Sequence, residues 1–152
     1  MIQTKRLNIS IASDEEMREL IAEQTDEEMK KAYSEMLAGC EGNPEQRQWY
    51  AVWFIALKTG ERIGDLCFKG LSPTGMVEVG YGLLPEFQGK GYMTEAVTAI
   101  TVWASQQPGV KTIEAETDPC NIASQKVLER CGFIPTGKNG EEGPRFVWHG
   151  KK

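Results

Sequence analysis

Leu7, Ile9 and Ile11 alternate with polar residues, a period of two that predicts a first strand over residues 4–11. The period then lengthens. Ser13-x-x-Glu16 has the form of a reciprocal helix-capping box, and Met17, Leu20 and Ile21 follow at helical spacing. Thr25-x-x-Glu28 repeats that signal ahead of Met29, Ala32, Tyr33, Met36 and Leu37, so two short tandem helices are expected, with a loop at 39–44. Residues 50–57 are almost continuously apolar, as in a strand covered on both faces. A turn at 58–61 leads to a strand at 62–69, and a second turn at 72–75 leads to a strand at 76–84. In that last strand Val77, Val79, Tyr81 and Leu83 share one face and Glu78, Gly80 and Gly82 the other.

The clearest helix lies at 91–107, where Met93, Ala96, Val97, Ile100, Trp103 and Ala104 fall at helical spacing before Pro108-Gly109 ends it. A fifth strand at 110–117 makes a strand–helix–strand unit, which implies a parallel pair with a right-handed crossover. Asn121 is placed to cap a helix reaching Cys131, with Ala123, Val127 and Cys131 facing inward and Gly132 ending it. Segments 133–136 and 145–149 close the chain as a strand pair around the loop 137–143. These elements predict one mixed α/β domain over residues 1–152, with about seven strands in a central sheet and about four helices.

Composition narrows the function classes. The chain has 152 residues, 40% hydrophobic and 26% charged, with a net charge of −5. That balance excludes nucleic acid as the expected partner. No apolar run approaches the roughly 20 residues of a membrane span, and residues 1–6 lack a signal peptide's apolar stretch, so a cytoplasmic location is expected. Cys40, Cys67, Cys120 and Cys131 are scattered and His149 is the single histidine, so no metal site is expected. Residues 13–45 carry eleven Asp and Glu against three Lys and Arg. Such a run is either the solvated face of two helices or a surface that attracts a cationic substrate.

The chemistry concentrates at Gln88, Gly89, Lys90 and Gly91, where a strand pattern gives way to a helix. Unpaired amides and the positive end of a helix dipole suit a phosphate there. Neither Gly-x-x-x-x-Gly-Lys-Ser/Thr nor Gly-x-Gly-x-x-Gly occurs, so two common nucleotide sites are excluded.

Two motifs then carry a family resemblance. One is Val77-Glu78-Val79-Gly80-Tyr81-Gly82-Leu83 running into Gln88-Gly89-Lys90-Gly91-Tyr92-Met93. The other is Asn121-x-x-Ser124-x-x-Val127-Leu128-Glu129-Arg130-Cys131-Gly132-Phe133. In order and spacing, from about residue 50 to 136, the chain resembles the GNAT superfamily of acetyl-CoA-dependent N-acetyltransferases, within it the ribosomal-protein N-terminal acetyltransferase branch. The family's phosphate loop reads Arg or Gln, two residues, Gly, one residue, then Gly or Ala. Met93 departs from the last position, where it either narrows the pyrophosphate site or turns into the core.

The resemblance implies a fold with a splayed fourth and fifth strand pair, and direct transfer from acetyl-CoA to a primary amine in a ternary complex. It places the pyrophosphate on amides from Gln88 through Gly89, Lys90, Gly91 and Tyr92 to Met93. It gives the pantetheine arm the backbone of Leu83 and Leu84, with Asn121 holding that arm or a water, or simply capping its helix. Amides near Tyr81 and Gly82 would polarise the thioester. Glu78 is the candidate general base, or else a carboxylate paired with a basic side chain; Glu116 and Asp118 are weaker candidates. Many relatives carry a thiolate-protonating Tyr where this chain has Leu128, so Ser124 is the candidate replacement. Cys120, just before a helix start, is a further candidate nucleophile. The acceptor would be a peptide N-terminus or small-molecule amine, with specificity in the first helices and the loop 137–143. A homodimer through Phe146 and Trp148 is a further expectation. The alternative is a non-catalytic acyl-CoA-binding module or an interaction domain on the same fold.

Overall fold

A computed structural model describes residues 1–148. His149 lies outside the described residues. Strands β1 (Ile2–Gln3), β2 (Leu7–Ile11), β3 (Val52–Leu57), β4 (Arg62–Leu71), β5 (Met76–Leu83), β6 (Thr112–Glu116), β7 (Phe133–Asn139) and β8 (Pro144–Trp148) form one sheet in the order β1-β2-β3-β4-β5-β6-β8-β7. The short β1 raises the count to eight, so the strand read from the pattern as the fourth is β5. Every pairing is antiparallel except β5 with β6. Between those two runs helix α3 (Tyr92–Ser105), the crossover that a parallel pair requires. Pairing of β5 with β6 stops at Val79 and Ala115, while β5 continues to Leu83. The two strands therefore part, leaving one edge of β5 open beyond Val79.

Both faces of the sheet are covered. Helix α3 and helix α4 (Ile122–Arg130) pack Ala96, Val97, Ile100 and Leu128 against Ile9, Trp53, Ile55, Val77 and Val79. Helices α1 (Asp14–Glu23) and α2 (Glu27–Gly42) pack Met17, Tyr33 and Cys40 against Val52 and Phe54 on the other face. Strand β3 thus buries both of its faces, which is why its sequence shows no alternation.

Five expectations are corrected. The cap of α2 is Asp26, whose Oδ1 accepts from the amides of Glu28 at 2.9 Å and Met29 at 3.3 Å; Thr25 lies one residue too early to reach them. That helix continues through Gly39 and ends at Gly42, because the absent side chain of Gly39 admits the Tyr50 ring: an added Cβ would sit 2.7 Å from it. In α4 the fully buried residue is Leu128; Val127 is half-buried, packed against the core while also lining a cleft, and Ala123 is exposed because it faces that cleft. Strand β7 takes in Gly137 to Asn139, so the connecting turn is only 140–143. Phe146 is buried and Trp148 half-buried, with the Trp148 indole N–H donating to the Cys131 carbonyl at 3.1 Å. Neither is the exposed dimer surface that was expected.

Candidate functional site

A cleft of about 340 Å³ opens where β5 and β6 part. Tyr81, Gly82 and Leu83 of β5 form one wall, Gln88, Gly89, Gly91, Tyr92 and Met93 the end, and Asn121, Ser124 and Val127 of α4 the other wall. The predicted loop and the predicted α4 residues thus meet across it. Lys90 and Leu84 are exposed and do not line it.

The end of the cleft is built from backbone. Gly89 and Gly91 take φ of +77° and +81°, values that favour glycine. Among the described residues, the amides of Gly89, Lys90, Gly91, Tyr92, Met93 and Thr94 donate to no protein acceptor. Six consecutive free donors at the positive end of a 14-residue helix have the geometry that suits an anion. At the departure from the family's loop, the Met93 side chain of α3 is buried in the core.

The β5 wall offers a strand edge. The Leu84 amide donates to the Ile63 carbonyl at 2.8 Å, so it points toward β4 and is unavailable to a ligand, a correction to its expected role. Strand alternation then turns the backbone groups of Tyr81 and Leu83 toward the open side. The Leu83 carbonyl accepts from Gln88 Nε2 at 3.0 Å, which leaves the Leu83 amide and both Tyr81 groups for an extended, amide-bearing arm.

On the α4 wall Asn121 caps the helix, its Oδ1 accepting from the Ser124 amide at 3.0 Å. The cap uses the side-chain carbonyl and leaves the amide N–H groups for other partners. The Ser124 hydroxyl lies 2.7 Å from the Tyr81 hydroxyl, and Tyr81 also reaches the Ser124 carbonyl at 3.2 Å. Burial pushes the Tyr81 phenol up to about 12, against a smaller opposing effect of its bond to Ser124. On sequence, Tyr81 falls on the apolar face, with a role for its amide but none for its hydroxyl. No local signal marks its hydroxyl, because the partner is 43 residues away. Leu128, where relatives carry Tyr, is fully buried.

Glu78 lies on the opposite face of β5. A Cβ added at Gly80 would meet Cys67 Sγ at 3.7 Å and Lys69 Cε at 3.9 Å, which places Glu78, Gly80, Cys67 and Lys69 on one side. Glu78 binds Lys69 at 2.8 Å and Arg145 at 3.0 Å, the ion-paired alternative weighed for it. Arg145 also binds Glu114 at 3.0 Å and Glu116 at 2.8 Å, and Glu116 accepts from the Glu142 amide at 2.9 Å. Asp118 accepts from the Cys120 amide at 2.7 Å. The exposed Cys120 does not line the cleft.

The same face holds a carboxylate that the pattern did not single out. Asp65 of β4 accepts from the Tyr33 hydroxyl at 2.9 Å, and burial pushes its carboxyl up against the opposing effect of Tyr33. Among the described residues no cation pairs with it. It stands opposite Gly82 in the β4–β5 register, one strand spacing from the cleft. A polar residue in the middle of an apolar strand was the available signal. No helix among the described residues is long and apolar enough to cross a membrane, and no metal-ligating cluster occurs among them.

Known proteins share this fold. The sequence model of the acetyltransferase (GNAT) domain matches residues 4–134. The uncharacterized N-acetyltransferase YjdG of Bacillus subtilis is 35% identical over 91 residues, 59% of this chain and 54% of the relative. The chain matches about half or less of the length of such curated relatives. Among solved structures, a variant of the spermidine N-acetyltransferase SpeG from Vibrio cholerae superposes with a TM-score of 0.74 at 14% identity, covering 95% of this chain and 94% of the other. The ribosomal-protein-S5-alanine acetyltransferase from Vibrio fischeri gives 0.71 at 19%, covering 95% and 92%. At these identities the two structures establish the fold.

Proposed function

The chain belongs to the GNAT acetyltransferase family, and from that premise we propose that it transfers an acetyl group from acetyl-CoA to a primary amine in a ternary complex. The observation that carries this reading is the run of six free amides, Gly89 to Thr94, at the end of a cleft whose wall is an open strand edge. When bound, acetyl-CoA supplies an acetyl carbon whose bond to sulfur breaks as the amine nitrogen bonds to that carbon. The free amides of Gly89, Lys90, Gly91, Tyr92 and Met93 hold the pyrophosphate; the Gln88 amide, expected to join them, instead donates to the Pro85 carbonyl at 3.2 Å. Tyr81 and Leu83 pair with the pantetheine amides as a neighbouring strand would, and Asn121 turns its free amide N–H toward the same arm.

Ser124 donates to the departing thiolate, with Tyr81 ordering its hydroxyl. Either hydroxyl can donate across that contact; with the Tyr81 proton on Ser124 Oγ, the Ser124 proton is free to point into the cleft. The acceptor enters from the α2 side of the sheet, over Gly80 and Gly82. An added Cβ at Gly82 would meet nothing within 4 Å, so that approach is open. Asp65, Glu78, Glu114 and Glu116 make this face suited to a cationic amine, and Glu78 takes the amine proton through a water, in competition with its ion pairs. Spermidine and the alanine of a ribosomal protein, the acceptors named for the two solved relatives, both offer an amine of this kind.

Thermal unfolding with and without acetyl-CoA tests the reading. At ligand about 100-fold above Kd the stabilisation is about 2.7 kcal/mol, a rise of about 5 to 10 °C for a chain of this size. Gln88→Glu and Gly89→Asp place charge against the phosphate, and aspartate tolerates the left-handed backbone; both variants should abolish the rise. No rise in the folded wild type at millimolar acetyl-CoA sinks the proposal. A rise without turnover of any amine in a panel containing polyamines and peptide N-termini selects the non-catalytic binding module.

A further inference from the structure

We infer that Arg6, in the turn between β1 and β2, is a positioning residue that aims the Gly91 amide into the cofactor cleft. The inference rests on the acetyl-CoA reading above for its ligand, but on separate geometry. Arg6 does not line the cleft. It lies behind the phosphate loop, and its Nη1 donates to the Lys90 carbonyl at 3.0 Å. A trans peptide is planar, so its C=O and N–H point in opposite directions. Holding the Lys90 carbonyl toward Arg6 therefore directs the Gly91 N–H away from Arg6, to the cleft side.

This peptide needs holding. Gly91 sits at φ +81°, and without a Cβ it populates the negative-φ basin about as readily. A flip of the Lys90–Gly91 peptide would put a carbonyl oxygen where the anion site needs a donor. An added Cβ at Gly91 would lie 3.3 Å from Arg6 Nη2, so the guanidinium packs directly against the hinge.

The guanidinium is itself fixed. Its Nε binds Glu95 Oε1 at 2.7 Å, the Arg6 amide donates to Glu95 Oε2 at 2.9 Å, and the Thr4 hydroxyl donates to the same oxygen. The Tyr92 ring lies under it at 4.3 Å. Glu95 occupies the first turn of α3, where an unneutralised carboxylate would oppose a bound phosphate. One side chain thus orients a donor and neutralises a competing anion. Lysine cannot do both, because an ammonium lacks the planar fork that reaches a carbonyl and a carboxylate together.

Two measurements on the full chain test this. Calorimetric titration with acetyl-CoA should give Arg6→Ala a Kd about tenfold higher, one lost charge-assisted contact, and Arg6→Lys an intermediate value. Turnover at saturating acetyl-CoA should stay within about twofold of wild type, the signature of lost cofactor binding alone. The Gly91 amide resonance in ligand-free protein should be single in wild type and shifted or exchange-broadened in Arg6→Ala, and in Arg6→Lys if the alanine variant does not fold. An unmoved Gly91 resonance together with an unchanged Kd overturns the inference. If wild type binds no acetyl-CoA, the acetyltransferase reading fails, and the ligand-free resonance alone decides the role of Arg6.

Discussion

Tyr81 and Ser124 form a hydroxyl pair 2.7 Å apart inside the cleft, and each can be removed with little change in volume. Ser124→Ala should lower kcat by about 100- to 1,000-fold, the range for loss of one donor to developing negative charge, and Tyr81→Phe, which only orders that donor, by less. Kd for acetyl-CoA should stay within about twofold, because neither hydroxyl touches the phosphate loop. A loss in Kd instead of kcat would reassign the pair to binding. The phenol also links to stability. Burial holds it at about 12, above the ordinary phenol value of 10.0, and likewise raises the Cys67 thiol to about 11 from its ordinary 9.0. The unfolded chain therefore releases these protons first, so their contribution is complete below about pH 9 and is lost as pH rises through 12. Urea unfolding at pH 8 and pH 11 should show that fall, and Tyr81→Phe should reduce it. Asp65→Asn should raise KM for a cationic amine and leave KM for acetyl-CoA unchanged; equal effects on both would remove Asp65 from the acceptor face.

The elements depend on a few such contacts. Asp26, not Thr25, caps α2, so Asp26→Ala should cost about 1 kcal/mol and Thr25→Ala a few tenths at most, read from urea midpoints. Arg145 of β8 joins Glu78 of β5 to Glu114 and Glu116 of β6. It ties together the strands on either side of the splay. Its side chain is largely buried, at 19% exposure, and Arg145→Ala would leave three carboxylates facing one another. The expected loss is about 2 to 4 kcal/mol, near the range for breaking a buried pair. A loss below about 0.5 kcal/mol would class the cluster with ordinary surface pairs.

Across the whole molecule, the order of elements was legible because each carries its own period. The alternation in β2, the capping box of α1 and the apolar stripe of α3 depend on neighbours within a few residues. The phosphate loop was legible for the same reason, since a strand, a Gly-rich turn and a helix start are all local. The side-chain contacts within the site were not. Tyr81 meets Ser124 across 43 residues, Tyr33 meets Asp65 across 32, and Arg6 meets Lys90 across 84. No periodicity encodes those distances. Glu78 shows the limit from the other side. Its position on the glycine face was readable from alternation, but its two cations come from β4 and β8, and only the sheet order brings them to it. Thus the sequence by itself determined the order of the main elements, the parallel crossover and the Gly-rich turn before α3, because short-range sterics and hydrogen bonding dictate them. The tertiary structure alone decided which hydroxyls, carboxylates and cations meet, because those contacts depend on strands and helices packed together from distant parts of the chain.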